Sequence, residues 1–336
     1  MRGSVRQTGG DKGFSGFEST YSSGSSGYSQ SDLLSRLYVW ITLSRVPFHT
    51  VGILPLCLGF AIAWRKTGSL DWGLFALAQL AVIFIMLSTY FAGEYFDYRE
   101  DFLSFLRGKS RFAGGTGAIP GGLIDRSSLR TATVVCLSLS LFIGLFIQCY
   151  YHTGRWTIPL GALGIIGGIF YSTPPIRWVA TGTGELWIGL CYGFLPVIVG
   201  FYLVTGTIDY QVLIAATPIA ITIFNVILAN EFPDYESDRA TGKKNLLYRI
   251  GPQRGAVLYA IAVLMSWLSM IFAVWTGAPS SALVYYLVPW GLSALAAAAF
   301  LAGKWREPRW LEAMCALGIL VNLGTTLALL TAFLAH

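Results

Sequence analysis

Two short stretches concentrate the acidic chemistry of this chain: EYFDYRED at residues 94–101 and EFPDYESD at residues 231–238. They match position by position at one offset: Glu94 with Glu231, Asp97 with Asp234, Tyr98 with Tyr235, Asp101 with Asp238. Between them they hold eight of the chain's 17 Asp and Glu residues. Within each stretch the aspartates are four apart, a spacing that stacks like charges on one helix face, where they repel. They also fall at the ends of apolar runs, where a helix C-terminus disfavours anions. A divalent cation resolves that conflict. Oxygen-only ligands suit Mg²⁺, which keeps several waters and binds through one or two carboxylates plus substrate phosphates. A solvated, charged helix end is the competing reading of one such pair, and the second pair in register argues against it.

Bases and glycines follow both acidic stretches, as RGKSRFAGGTGAIPGGLI after the first and RATGKKNLLYRIG after the second. Four aspartates and two Mg²⁺ cancel, and a diphosphate of charge about −3 is then balanced by Arg111, Lys243, Lys244 and Arg177, with Gly114-Gly115-Thr116-Gly117 offering backbone N–H groups. A plain flexible loop is an equally open reading of those glycines. No strand precedes them, so neither a dinucleotide fingerprint nor a Walker loop is supported. A diphosphate site beside apolar helices suits a lipid-tailed diphosphate, and isoprenyl diphosphates fit. Metal-assisted departure of the diphosphate leaves an allylic cation, which aromatic faces in a dry cavity stabilise. Tyr171, in YSTPPIR, is a candidate face; an interfacial belt tyrosine is the alternative.

The elements that must position these groups are membrane helices. The chain is 54% hydrophobic and 12% charged, with a mean hydropathy of +0.60, which is an all-α, polytopic composition. Period-2 alternation is lacking, which excludes a β-barrel. Nine apolar segments reach the length of a membrane span: Pro47–Trp64, Trp72–Gly93, Thr131–Tyr150, Trp156–Tyr171, Gly184–Leu203, Val212–Asn230, Ala256–Trp275, Ala282–Ala302 and Leu311–Leu334. The offset between the acidic stretches also lays the first span over the fifth and the second over the sixth, a duplicated helical unit. Residues 1–33 read as a disordered Ser/Gly-rich tail without an apolar signal region, and 34–336 as the transmembrane domain.

With the N-terminus cytoplasmic, 20 of 23 Lys and Arg fall on the cytoplasmic side, leaving Arg65, Lys66 and Arg155 outside. The positive-inside rule therefore puts the acids in the cytoplasm and the C-terminus outside. The net charge of +6 is membrane topology and not a nucleic-acid footprint. Five scattered cysteines and three histidines support neither a disulfide framework nor a zinc site.

These residues resemble the UbiA superfamily of intramembrane prenyltransferases, whose hallmark is Asn-x-x-x-Asp-x-x-x-Asp after the second span and a matching acidic motif after the sixth. The second motif matches as Asn230, Asp234 and Asp238. The first keeps Asp97 and Asp101 with Gly93 in place of Asn, so Glu94, water or backbone is expected to complete that metal's ligands. NEFPDYESDRATGKKNL and GELWIGLCYGFLPVIVGFY look most like the menaquinone branch, which prenylates 1,4-dihydroxy-2-naphthoate. Arg45, in SRVPF, resembles the family's basic entry to the first span; a snorkelling interfacial Arg is the alternative.

The resemblance implies an Mg²⁺-dependent prenyltransferase. Asp97 and Asp101 hold one of two ions and Asp234 and Asp238 the other. Arg111, Lys243, Arg177 and Asn230 bind the diphosphate, and Tyr171 faces the cation. Its partners are a prenyl diphosphate, an aromatic acceptor and membrane lipid, with no nucleic acid and no protein partner inferable. Members acting on 4-hydroxybenzoate, homogentisate, chlorophyllide or a glycerophosphate lipid are the alternatives within the superfamily. A cation-coupled transporter is the alternative from another class, though coupling acids there lie near the midplane within broken helices. A CDP-alcohol phosphotransferase is set aside because its DGxxAR…GxxxDxxxD pattern is missing.

Overall fold

The computed structural model describes residues 33–106, 110, 112 and 114–335; the Ser/Gly-rich tail and Arg111 lie outside the described residues. Every regular element among them is helical. A short α1 (Leu33–Leu43) and a 3₁₀ turn (Val46–His49) lead into α2 (Thr50–Thr67), followed by α3 (Trp72–Phe96), α4 (Tyr98–Leu106), α5 (Arg126–Tyr151) and α6 (Thr157–Ser172). The second half runs through α7 (Gly184–Ile188), a π-helical turn (Gly189–Phe194), α8 (Leu195–Thr205) and the long α9 (Tyr210–Thr241). After it come α10 (Leu246–Ile250), α11 (Pro252–Trp275), α12 (Ser281–Tyr285), α13 (Leu287–Leu301) and α14 (Pro308–Ala335).

Among the described residues, seven helical stretches are long and apolar enough to cross a membrane. Two further apolar helices, α6 and α13, stand at the expected fourth and eighth spans but are shorter, at 16 and 15 residues. The outward faces of α5 and α11 show why these helices need lipid: Phe142, Leu145, Leu264 and Ile271 are among the large apolar side chains they leave exposed. Inside, helices approach on small residues and polar contacts, as membrane bundles do. A Cβ on Gly59 of α2 would meet Val197 O at 2.2 Å, and one on Gly200 of α8 would meet Leu56 O at 2.5 Å. Asn322 Nδ2 of α14 donates to Thr222 Oγ1 of α9 at 3.0 Å, and Asn225 Nδ2 donates to Tyr259 O of α11 at 3.2 Å.

The two acidic stretches are built differently, against the expectation of two alike helix ends. Asp97 caps α3 with φ −91° and ψ 17°, and α4 restarts at Tyr98, so the first motif straddles a break. Asp234 and Asp238 lie within the unbroken α9, which continues 11 residues past the expected span end at Asn230 to Thr241. Gly242, at φ 76°, stops that helix in a left-handed turn that glycine adopts without strain. Lys243 N then donates back to Asp238 O at 2.9 Å, returning its side chain to the acids.

Candidate active site

Seven of the residues singled out from sequence line one cavity of about 230 Å³: Asp97, Asp101, Asp234, Asp238, Asn230, Tyr171 and Lys243. It opens among α3, α4, α6, α9 and the 110–125 connection. Arg177 is not in the cavity wall. Lys244 is exposed and lies outside it.

In the first half, Asp97 is clamped from the end of α6. Ser172 Oγ donates to its Oδ2 at 2.5 Å, and Arg177 Nη2 to its Oδ1 at 2.6 Å. Arg177 also reaches Glu100 Oε1 at 3.4 Å. Desolvation works against the guanidinium's charge, but Asp97 and Glu100 outweigh it and raise its pKa. Glu94, the ligand offered where Gly93 replaces Asn, lines the cavity and is already engaged by protein donors. Its carboxylate accepts from Arg45 Nη2 at 3.1 Å, Thr116 N at 2.6 Å and Thr116 Oγ1 at 3.0 Å. Arg45 donates also to Gly114 O at 3.0 Å. The glycine loop is thus held by a half-buried ion pair, with Arg45 turned toward the buried Glu94. A Cβ on Gly115 would meet Asp101 Oδ2 at 2.1 Å, so only glycine lets the loop lie on that carboxylate. At Gly93 a Cβ meets only Ser172 Oγ, at 3.7 Å, so packing does not require glycine there.

In the second half, Asp234 accepts from Ser104 Oγ and from Gly114 N, both at 2.7 Å, so the loop's N–H groups turn to protein acids. Asp238 accepts from Asn245 Nδ2 at 2.7 Å and pairs with Lys243 Nζ at 3.6 Å. Burial opposes the charge of Lys243, but Asp238, Asp97, Asp234 and Asp101 together hold its ammonium well above its usual pKa. Asn230 Oδ1 is buried without a hydrogen-bond partner. The donor set facing the cavity is all oxygen, which suits a hard cation. Among the described residues, no three Asp, Glu, His or Cys side chains converge closely enough to cage a metal by themselves.

Several wall residues escaped the sequence reading. Tyr90 and Tyr192 both line the cavity, Tyr192 from the π-helical turn. Tyr192 and Thr89 also line a second, apolar cavity of about 120 Å³, walled by Ile85, Gly164, Leu195 and Val199 and reaching Tyr202. The acid-lined chamber and the apolar one therefore lie side by side, with Thr89 and Tyr192 between them. Glu185, buried at the start of α7, was also missed; a lone acid opening an apolar span was the available signal.

Comparison with known proteins agrees with this geometry. The profile of the UbiA prenyltransferase family matches residues 53–326, and the chain belongs to that family; it is a multi-pass membrane prenyltransferase. It is 28% identical over 241 residues to 1,4-dihydroxy-2-naphthoate octaprenyltransferase of Bacillus subtilis, covering 71% of this chain and 74% of that one. It is 23% identical over 309 residues to the protein of the same description from Haemophilus influenzae, covering 88% and 96%. The fold resembles a UbiA homolog from Archaeoglobus fulgidus solved bound to GPP and Mg²⁺, with a TM-score of 0.58 and 17% identity over 87% of this chain and 99% of that one. A digeranylgeranylglyceryl phosphate synthase structure gives a TM-score of 0.59 at 17% identity, covering 90% and 99%.

Proposed function

We propose that this chain transfers an isoprenyl group from a prenyl diphosphate to 1,4-dihydroxy-2-naphthoate in quinone biosynthesis, at a cytoplasmic site. One observation carries the reading: the acid chamber and the apolar cavity share Thr89 and Tyr192 as common wall. A diphosphate head belongs in the first and an isoprenoid tail in the second. The naphthoate relatives support the choice of acceptor.

The all-oxygen wall fits Mg²⁺: Asp97 and Asp101 would hold one ion, Asp234 and Asp238 another, each keeping waters. When bound, Mg²⁺ supplies charge neutralisation for the departing diphosphate. Lys243 places its ammonium among the four aspartates and meets phosphate oxygens there. Arg177, bonded to Asp97, holds that carboxylate in place and adds positive charge behind it. Asn230 offers its amide nitrogen to a phosphate oxygen. Tyr171 turns its ring toward the chamber, and the apolar wall excludes water from the allylic carbon. A ring carbon of the acceptor forms the new C–C bond as the C–O bond to diphosphate breaks, and loss of the acceptor's carboxylate as CO₂ restores aromaticity.

Purified protein should convert labelled prenyl diphosphate and 1,4-dihydroxy-2-naphthoate to a prenylated, decarboxylated product by mass spectrometry, with EDTA abolishing turnover and Mg²⁺ restoring it. Product from another aromatic acceptor but not from this one would overturn the acceptor assignment. Turnover undiminished in EDTA would overturn the metal.

A further inference from the structure

We infer that Glu185 is a positioning residue for the diphosphate clamp: with Glu231 it grips the two peptide N–H groups that open α10, and so sets where Lys243 and Asn245 stand against Asp238. The inference rests on the proposed reading of Lys243 and Asp238 as the diphosphate side of the chamber.

Glu185 is 1% exposed and belongs to no cavity wall. A buried carboxyl in an apolar span is costly unless its contacts compensate. Those contacts go to one place. Glu185 Oε1 accepts from Leu246 N at 2.9 Å, and Glu231 Oε2 accepts from Leu247 N at 3.0 Å. The two carboxyls lie beside each other, and Glu185 Oε2 is buried without a hydrogen-bond partner. A hydrogen carried by either of the pair would let it donate to the other.

The chain between α9 and α10 is only Gly242 to Asn245, so wherever Leu246 is held, Lys243 and Asn245 follow. Asn245 Nδ2 bonds Asp238 Oδ2 at 2.7 Å, and Lys243 Nζ stands 3.6 Å from Asp238 Oδ1. The duplicated unit repeats this device. Glu94, which matches Glu231, accepts Thr116 N and so anchors the glycine loop of the first half. Its charged partner is the half-buried Arg45; in the second half Glu231 has the buried Glu185 beside it instead. Each half thus hangs its cytoplasmic loop on the repeated glutamate.

The test uses full-length enzyme, varying prenyl diphosphate at saturating acceptor and Mg²⁺. Glu185→Leu removes the grip on Leu246 and should raise the diphosphate KM about tenfold, the scale of one lost buried hydrogen bond, with the acceptor KM within about twofold of wild type. Glu185→Gln keeps a carbonyl for Leu246 N and supplies a permanent hydrogen to Glu231, so it should restore the wild-type KM. Leu246→Pro offers an independent route: proline suits the first position of a helix and deletes the N–H that Glu185 accepts. It should raise the diphosphate KM as Glu185→Leu does, and the double variant should add nothing, because one bond cannot be lost twice. If Glu185→Leu does not fold, Leu246→Pro decides alone. A lowered Tm with an unchanged diphosphate KM, or Glu185→Gln as damaging as Glu185→Leu, overturns the inference. Lys243→Met separates the two levels. If it raises the diphosphate KM while neither Glu185→Leu nor Leu246→Pro does, the clamp stands and the positioning role falls; if none of the three does, the clamp assignment fails and the inference with it.

Discussion

Asp97 and Asp234 occupy matching positions but are held by different donors, Ser172 and Arg177 for one, Ser104 and Gly114 for the other. Asp97→Asn and Asp234→Asn each remove a proposed metal ligand at nearly constant volume and should each slow turnover by about 10²-fold or more. The double variant should lose far less than the product of the two, since groups acting as a unit are non-additive. Glu100→Gln weakens only the 3.4 Å contact to Arg177 and should cost much less than Asp97→Asn, as initial rates will show. Asp101 provides the pH dependence. Burial, with Glu94 and Asp97 close by, pushes its carboxyl well above the usual carboxylate range. A raised pKa means the metal-free protein keeps this proton to higher pH, and metal binding must expel it. The Mg²⁺ concentration giving half activity should therefore fall as pH rises through that raised value. Any stability owed to the neutral carboxyl in the metal-free protein is lost over the same rise. Magnesium titrations at a series of pH values check this; an activation constant that does not move with pH contradicts it.

Among the elements, α2 and α8 make a close crossing, with Gly59 and Gly200 each set against the other helix's backbone. A methyl at Gly200 would meet the Leu56 carbonyl, Phe60 N and Gly59 C, all backbone that cannot swing aside. Gly200→Ala should then destabilise by about 1–3 kcal/mol through overpacking, read as a lower melting temperature in detergent. Gly144→Ala is the matched control: nothing lies within 4 Å of its added methyl, so helix propensity should leave it neutral or slightly stabilised. Equal loss at both sites would refute the close-crossing argument. α2 and α9 show why apolar runs located spans better than they located ends. The Pro47 start expected for the first span is a 3₁₀ turn, and the helix begins at Thr50. The sixth span's helix continues to Thr241 because Asp234 finds a donor in a loop far away in sequence and Asp238 one just past the helix end, which a hydropathy window does not register.

At the scale of the whole molecule, the structure gathers Arg45, Glu94, the glycine loop, Arg177 and Lys243 at one end of the bundle. The ion pair of Lys66 with Asp209, at 2.7 Å, marks the other. Since the sequence assigns 20 of 23 basic residues to the tail and loops on the same side as the acids, that end is expected to be cytoplasmic. A single cysteine at Lys244, which is exposed, in a cysteine-free background should react with a membrane-impermeant maleimide only when the cytoplasmic face is open. Labelling from outside intact cells would invert the topology.

The repeated aspartates, their all-helical membrane setting and the asymmetry of charge follow from sequence alone, because each depends on residue type and spacing along one segment. So does the place of Lys243 just past the end of the acidic helix, since Gly242 is a local stop signal. Which donors meet each aspartate was not legible. Ser172, Arg177, Ser104 and Asn245 come from separate segments, and only packing brings them to Asp97, Asp234 and Asp238. Glu94 and Glu231 read as spare acids in the motif. The fold made them loop anchors, because each is buried beside unpaired backbone N–H groups that need an acceptor. The join between the acid chamber and the apolar cavity at Thr89 and Tyr192 was likewise decided by tertiary structure: a void belongs to no single segment and exists only where several helices fail to touch.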